Sequence, residues 1–145
     1  DLKKKLIETG NIDWIKKFHE RTEISAIENS FSQISEAMVD VSTKNIESRL
    51  KHPFFEKDLS ALRFNSPISV AYTIIMLKME KVRNNISDAL DAEYSFTARS
   101  QEFGDFQEGI RAAVIDKDRN PLWKHKSLAD VSEEDLQPFF QTIHR

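Results

Sequence analysis

Ser66-Pro67-Ile68-Ser69-Val70-Ala71-Tyr72-Thr73-Ile74-Ile75-Met76-Leu77-Lys78-Met79-Glu80-Lys81-Val82 is the stretch on which the fold turns. A hydroxyl residue that can accept a backbone N–H, followed by proline at the first helical position, marks a helix start. From Ile68 the run carries no charge until Lys78 and is apolar on nearly every side. It therefore predicts a helix over residues 68–82 that is buried on most of its faces. In a chain of 145 residues whose other helices are amphipathic, part of that burial is expected from a surface the chain does not contain.

The same signals recur on both sides of this stretch. Pro53 opens a helix carrying Phe54, Phe55, Leu59 and Leu62, and Ser42 caps a short one carrying Ile46 and Leu50. Upstream, Ile24, Ile27, Phe31, Ile34, Met38 and Val41 follow alternating steps of three and four, which predicts one helix over 24–41 with a narrow apolar stripe facing a core or a partner. Residues 2–9 read as a helix stopped by Gly10 in a left-handed conformation; Asn11 caps a second, in which Trp14 or Ile15 shares a face with Phe18. Downstream, a helix over 86–103 ends at Gly104. Asp105 caps the next, to about Lys117, and residues 118–121 form a turn. Ser132 with Glu133, Glu134 and Asp135 starts a last helix, which Pro138 bends or ends before Phe139 and Phe140. Only 3 glycines and 4 prolines occur, roughly half the usual frequency or less, too few for sheets joined by tight turns. The expectation is an all-α fold over residues 1–145, one compact multi-helix domain with no sheet beyond an incidental pairing.

Composition also bounds function. With 21 basic and 24 acidic residues, the net charge of -3 lacks the basic excess of a nucleic-acid binder. No cysteine is present, so neither a disulfide nor a thiolate metal site is possible. No apolar run approaches a membrane span, and no signal-peptide pattern opens the chain. Lys3, Lys4, Lys5, Lys16 and Lys17 make the N-terminal part locally basic, which reads as solvated helix faces. The start at Asp1 rather than Met reads as a processed or excised piece.

Each constellation that resembles a site has a plainer reading. Asp116-Lys117-Asp118-Arg119-Asn120 opens like a calcium loop, but Pro121 stands at the sixth position and Ser127 at the twelfth, where glycine and a bidentate glutamate are needed. His19, His52, His125 and His144 are scattered, with no HxxxH or HExxH spacing, so they read as surface residues and no metal or cofactor is assigned. Glu93, between Leu90 and Thr97 on a helix face, reads as a structural ion pair or hydrogen-bond anchor. Gly10, Gly104 and Gly109 are isolated, and no GxSxG elbow or phosphate loop exists. Acyl-transfer chemistry needs aligned N–H donors for an oxyanion and a positioned acid or base, and nothing here builds them. No catalytic residue is assigned.

Glu93-Tyr94-Ser95-Phe96-Thr97-Ala98-Arg99-Ser100, then Asp105-Phe106-Gln107-Glu108-Gly109-Ile110-Arg111-Ala112-Ala113-Val114-Ile115-Asp116-Lys117-Asp118-Arg119-Asn120-Pro121-Leu122-Trp123, closely resembles the 3-hydroxyisobutyryl-CoA hydrolase branch of the crotonase (enoyl-CoA hydratase/isomerase) superfamily. The branch's pattern is a Met-Glu-Tyr-type helix, a D-F-x-E-G-V-R-A helix and I-D-K-D-x-x-P-x-W. The Ser66-Pro67 start and the closing residues 128–136 are similar to it too. The match spans residues 65–140, while 1–64 fit only in helix pattern. Ala92 departs from the usual methionine, and Phe103-Gly104 replaces a slightly different spacer.

The resemblance implies the C-terminal helical domain of a crotonase-type enzyme without its spiral β core, where the oxyanion glycines and catalytic carboxylates reside. It implies a parent that hydrolyses a short branched β-hydroxyacyl-CoA in valine breakdown, with this chain covering the acyl-CoA site, packing on its own N-terminal crotonase domain and joining homo-oligomer contacts. The chain alone is expected to be inactive. Arg111, Lys117, Arg119 and Trp123 are expected to bind the nucleotide end of the coenzyme A thioester, since forked and flexible cations suit its phosphates and the indole a flat apolar contact. The expected compartment is the cytoplasm, or the mitochondrial matrix in a eukaryote. Two other classes stay open: a free-standing helical interaction module, supported by the 24–41 stripe, and a catalytically dead homologue recruited as a scaffold.

Overall fold

Asp1 opens the first helix by accepting the Lys3 N–H on its carboxylate at 2.9 Å. The computed structural model describes residues 1–17, 26–141 and 143. They fall into two compact units, Asp1–Glu36 and Ala37–Arg145. In the first, helix α1 (Leu2–Thr9) ends where Gly10 adopts φ 60 and donates its N–H to the Leu6 carbonyl. That left-handed conformation carries no Cβ penalty in glycine. Asn11 then caps α2 (Asp13–Lys17) through its side-chain oxygen at 2.9 Å. The Lys5 and Lys17 ammonium groups lie 5.3 and 4.6 Å from the Trp14 ring centre, so part of the basic patch is engaged in cation–π contacts rather than merely solvated. The expected face shared with Phe18 lies outside the described residues.

The stripe predicted as one helix over 24–41 is two, α3 (Ala26–Asn29) and α4 (Phe31–Met38). Ser30 donates its N–H to the Ile27 carbonyl, a tightened turn that ends α3, and accepts from Ile34 to begin α4. Ile24 lies outside the described residues. The boundary between the two units falls within α4.

In the second unit, Asn45 rather than Ser42 precedes α5 (Ile46–Arg49); the Asn45 side chain accepts the Ser42 N–H at 2.7 Å and donates to the Asp40 carbonyl. A single 3₁₀ turn, Pro53–Phe55, runs into α6 (Glu56–Phe64). Ser66 caps α7 (Pro67–Lys78), with Pro67 at its first position. This helix stops earlier than residue 82. Met79 is extended, its N–H bonds Met76, and α8 (Glu80–Asn84) starts afresh. Six of the first eight α7 residues after Pro67 are β-branched or serine, so burial more than propensity holds the helix. Burial ends at Met76, since Leu77 and Lys78 are exposed.

The long helix α9 (Ile86–Phe103) matches its predicted span. Helix α10 (Phe106–Ile110) then widens into a π-helical turn, Arg111–Ile115, in which Asp116 N–H reaches the Arg111 carbonyl at 2.8 Å. A 3₁₀ turn (Leu128–Asp130), α11 (Glu133–Leu136) and a closing 3₁₀ turn (Gln137–Phe140) complete the chain, with Ser132 and Asp135 forming a reciprocal capping box. No strand occurs among the described residues: the fold is all-α.

The core of this unit gathers where α7, α9 and the last turn meet. Ile68 and Phe139 are completely buried. The Tyr72 ring stacks on Phe96 at 4.6 Å and on Phe140 at 5.1 Å, while Phe139 packs on Phe96 at 4.9 Å. Tyr72 donates its hydroxyl to the Ala92 carbonyl at 2.8 Å, which satisfies the one polar atom the ring brings inside. Burial, with the Glu93 carboxylate nearby, raises the Tyr72 hydroxyl above its ordinary pKa.

Candidate functional site

One face of α7 is left open. Together with residues 38–46, α9 and α10 it encloses a groove of about 980 Å³. Its walls are largely apolar, and Leu77, Phe106 and Ile110 stand in it 56%, 46% and 38% exposed. Polar groups converge at one end. The Ser66 hydroxyl donates to Asp105 Oδ2 at 2.6 Å and accepts the Ser69 N–H at 3.3 Å. Asp105 Oδ1 accepts the Lys124 backbone N–H at 2.9 Å. A hydroxyl beside a carboxylate is the raw material of a nucleophile and base, but here both are buried and both are engaged in joining three segments. Asp105 was expected to cap α10; its carboxylate instead ties the α7 start to the segment after Trp123, and makes no cap bond.

Trp123 closes the same end. Its indole N–H donates to the Phe64 carbonyl at 2.9 Å, and the ring edge lies over Gly109, where an added Cβ would sit 3.6 Å from Trp123 Cη2. Beyond it, the turn over 116–120 is organised around Arg111. The guanidinium grips Glu108 through Nε at 2.9 Å and Nη2 at 2.7 Å. Its Nη1 reaches Asp116 at 2.5 Å and Asp118 at 2.8 Å, and Nη2 also reaches the Asn120 carbonyl at 3.1 Å. Glu108 further accepts the Leu122 N–H at 2.6 Å, and Asp118 the Asn120 N–H at 2.8 Å.

The electrostatics follow from that geometry. Arg111 first, then the Leu122 N–H, hold the Glu108 carboxyl down to about 2. Asp118 is lowered by Arg111 and then by the Asn120 N–H, and Arg111 itself is pushed above its ordinary range. Lys117 and Arg119 sit in this turn at φ 56 and φ 53, both in the left-handed region and both exposed. Such a conformation costs a non-glycine residue about 1–2 kcal/mol and persists only where surrounding bonds impose it. The four residues expected to bind ligand thus divide. Lys117 and Arg119 are exposed on the turn, Arg111 is its bonded centre, and Trp123 lies at the groove end. The acids that looked like the opening of a calcium loop are the acceptors of Arg111. Among the described residues no group of three or more acids or histidines is placed to hold a metal.

Several roles differ from the sequence reading. His125 is not a surface histidine: its side chain is 11% exposed, and Nε2 lies 3.0 Å from Asp135 Oδ2. Asp135 also takes the Lys124 ammonium at 2.8 Å; Lys124 and Ser132 hold its carboxyl well below the usual range. His52 accepts the Phe54 N–H as a helix cap. His19 and His144 lie outside the described residues. Glu93 is exposed and makes no hydrogen bond or ion pair among the described residues, so it anchors nothing there. Glu108 and Asp105 escaped notice as organisers. The one available signal was the three-residue spacing of Glu108 and Arg111 on a helix.

The enoyl-CoA hydratase/isomerase family matches residues 1–140, reaching back through the part that fitted only in helix pattern. The mitochondrial 3-hydroxyisobutyryl-CoA hydrolase of Gallus gallus is 30% identical over 139 residues, 90% of this chain and 36% of that protein. The Rattus norvegicus enzyme of the same name is 37% identical over 91 residues, 63% of this chain and 23% of that protein. The crystal structure of an enoyl-CoA hydratase from Rhodobacter sphaeroides 2.4.1 superposes with a TM-score of 0.74 at 30% identity, covering 90% of this chain and 43% of that one. The chain thus spans only about a quarter to a third of the curated relatives it matches. No helix among the described residues is long and apolar enough to cross a membrane. The chain belongs to the enoyl-CoA hydratase/isomerase (crotonase) family, and the curated relatives it resembles are 3-hydroxyisobutyryl-CoA hydrolases.

Proposed function

We propose that this chain is the C-terminal helical part of a 3-hydroxyisobutyryl-CoA hydrolase, an enzyme of valine breakdown, and that it covers the acyl-CoA site without supplying the catalytic groups. The observation that carries this reading is the groove along α7, about 980 Å³ with exposed Leu77, Phe106 and Ile110 in its walls. An apolar recess of that size is a surface for packing against a further domain, and the occupant of this reading is the enzyme's own N-terminal crotonase domain. The buried Ser66–Asp105 hydroxyl–carboxylate pair is engaged in holding chain segments together, which in this reading leaves thioester hydrolysis to that other domain. The exposed apolar surface also favours homo-oligomer contacts. The compartment is the mitochondrial matrix if the source is eukaryotic, and the cytoplasm otherwise.

In this reading the turn after α10 meets the nucleotide end of coenzyme A. Lys117 and Arg119 place two exposed cations six and four residues before Trp123, and phosphate oxygens are their natural acceptors. Contacts to the ligand's far end hold ground state and transition state alike. Lys117→Ala with Arg119→Ala in the full-length enzyme is therefore expected to raise KM about tenfold, the scale of one charge-assisted hydrogen bond, with kcat near wild type. Steady-state kinetics at low salt measures both constants; KM and kcat that both match wild type would refute the contact.

A further inference from the structure

We infer that Arg111 is a positioning residue of the anion-receiving turn and not one of its ligand contacts: it acts on the ligand only through the backbone conformation it imposes on Lys117 and Arg119. The inference deepens the coenzyme A reading and rests on it for the ligand.

The donor inventory of Arg111 carries the argument. A guanidinium has five N–H groups in one plane and no acceptor. Here five hydrogen bonds are made: Nε to Glu108 Oε2, Nη2 to Glu108 Oε1 and the Asn120 carbonyl, and Nη1 to Asp116 and Asp118. No donor is left for a phosphate. Three carboxylates around one cation also leave the centre of the turn net negative, so an anion finds attraction only at the exposed cations outside it. Those are Lys117, between Asp116 and Asp118, and Arg119, between Asp118 and Asn120.

Every flanking residue of the two cations is thus held by Arg111, and the cations themselves occupy the left-handed conformations. A second set of bonds seals the arrangement. Arg119 N–H reaches the Ala112 carbonyl at 3.0 Å, and Asp116 N–H the Arg111 carbonyl at 2.8 Å, the π-helical bond that widens the end of α10. Left-handed lysine and arginine need such imposed bonding. Removing the guanidinium frees three carboxylates that then repel one another, and the turn opens. Lysine offers a point charge without the fork, so it does not restore five directed bonds.

Two readouts on the full-length enzyme test this. The first needs no ligand: trypsin cleaves after Lys117 or Arg119 only when the turn can be drawn out. Arg111→Met and Arg111→Lys are expected to speed cleavage there at least tenfold over wild type. Asp118→Ala, a milder opening of the same turn, should do so by a smaller factor. An unchanged cleavage rate in all three overturns the positioning role. The second readout is a kinetic cycle with the acyl-CoA substrate. Arg111→Met should raise KM as much as the Lys117→Ala/Arg119→Ala pair, leave kcat alone, and add nothing when combined with that pair. Multiplying effects in the combined variant would make Arg111 an independent contact and overturn the inference. If the pair alone leaves KM unmoved while Arg111→Met still speeds cleavage, the coenzyme A reading fails and the turn's architecture stands, so the two failures are distinguishable.

Discussion

Of the three glycines, Gly104 has the least room for a side chain. A Cβ there would lie 3.0 Å from the Ser100 carbonyl oxygen, 3.3 Å from Ser100 Cα and 3.5 Å from the buried ring of Phe139. The two closest atoms are backbone and cannot turn aside. Gly104→Ala is therefore expected to destabilise the fold by about 1–3 kcal/mol in denaturant titration, the cost of overpacking. Gly109→Ala is the contrast: its Cβ would meet Trp123 at an ordinary 3.6 Å, so the helical gain of alanine offsets any crowding and stability should stay within about 1 kcal/mol of wild type. Equal losses at the two glycines would contradict this reading. Glu108 sets the pH dependence. Its folded carboxyl, at about 2 against an ordinary 4.5, binds its proton less tightly than in the unfolded chain. Its stabilisation is complete above about pH 4.5 and is lost as pH falls toward about 2; Asp118 and Asp135, also lowered, act in the same sense. Glu108→Gln should flatten the fall in melting temperature across that window, and a fall as steep as wild type would exclude the proposed linkage.

At the scale of elements, the meeting of α7, α9 and the closing turn is what makes the second unit a unit. Phe139 is completely buried against Phe96 and Tyr72, and Phe139→Ala is expected to cost about 3–5 kcal/mol. Tyr72→Phe keeps the ring stack and removes only the bond to Ala92, so a loss of about 1 kcal/mol is expected. A Tyr72→Phe penalty as large as that of Phe139→Ala would place the stability of this junction in the hydroxyl rather than the rings. The helix starts at Asn11, Ser66-Pro67 and Ser132 were legible in the sequence because each cap acts within three residues, whereas the expected caps Ser42 and Asp105 do not cap their helices. Ends set by packing were not legible. Nothing in residues 76–80 is a breaker, yet α7 stops once its neighbours stop covering it, and Ser30 interrupts a stripe whose spacing ran unbroken. The ligand role of Lys117, Arg119 and Trp123 is a proposal, and only part of the turn that carries them could be read locally. Lys117, Arg119 and Trp123 could be named from the motif, whereas Arg111's five bonds depend on a π-helical turn that brings Asp116, Asp118 and Asn120 around one guanidinium, a closure no spacing announces.

For the whole molecule, the account rests on a chain that is all-helical among the described residues and carries an open apolar groove. The expectation that α7 is too apolar for this chain alone agrees with the exposed Leu77 beside its buried face and with Phe106 and Ile110 across the groove. The family model matches residues 1–140, and the chain spans 23% to 36% of the hydrolases it resembles. The most direct test measures thiol release from 3-hydroxyisobutyryl-CoA by three purified samples: this chain alone, the N-terminal crotonase domain alone, and the two together. The account predicts no turnover by the chain, little by the isolated domain, and recovery of activity with saturable association when they are mixed. Turnover by this chain alone, proportional to its concentration and surviving repurification, would contradict it.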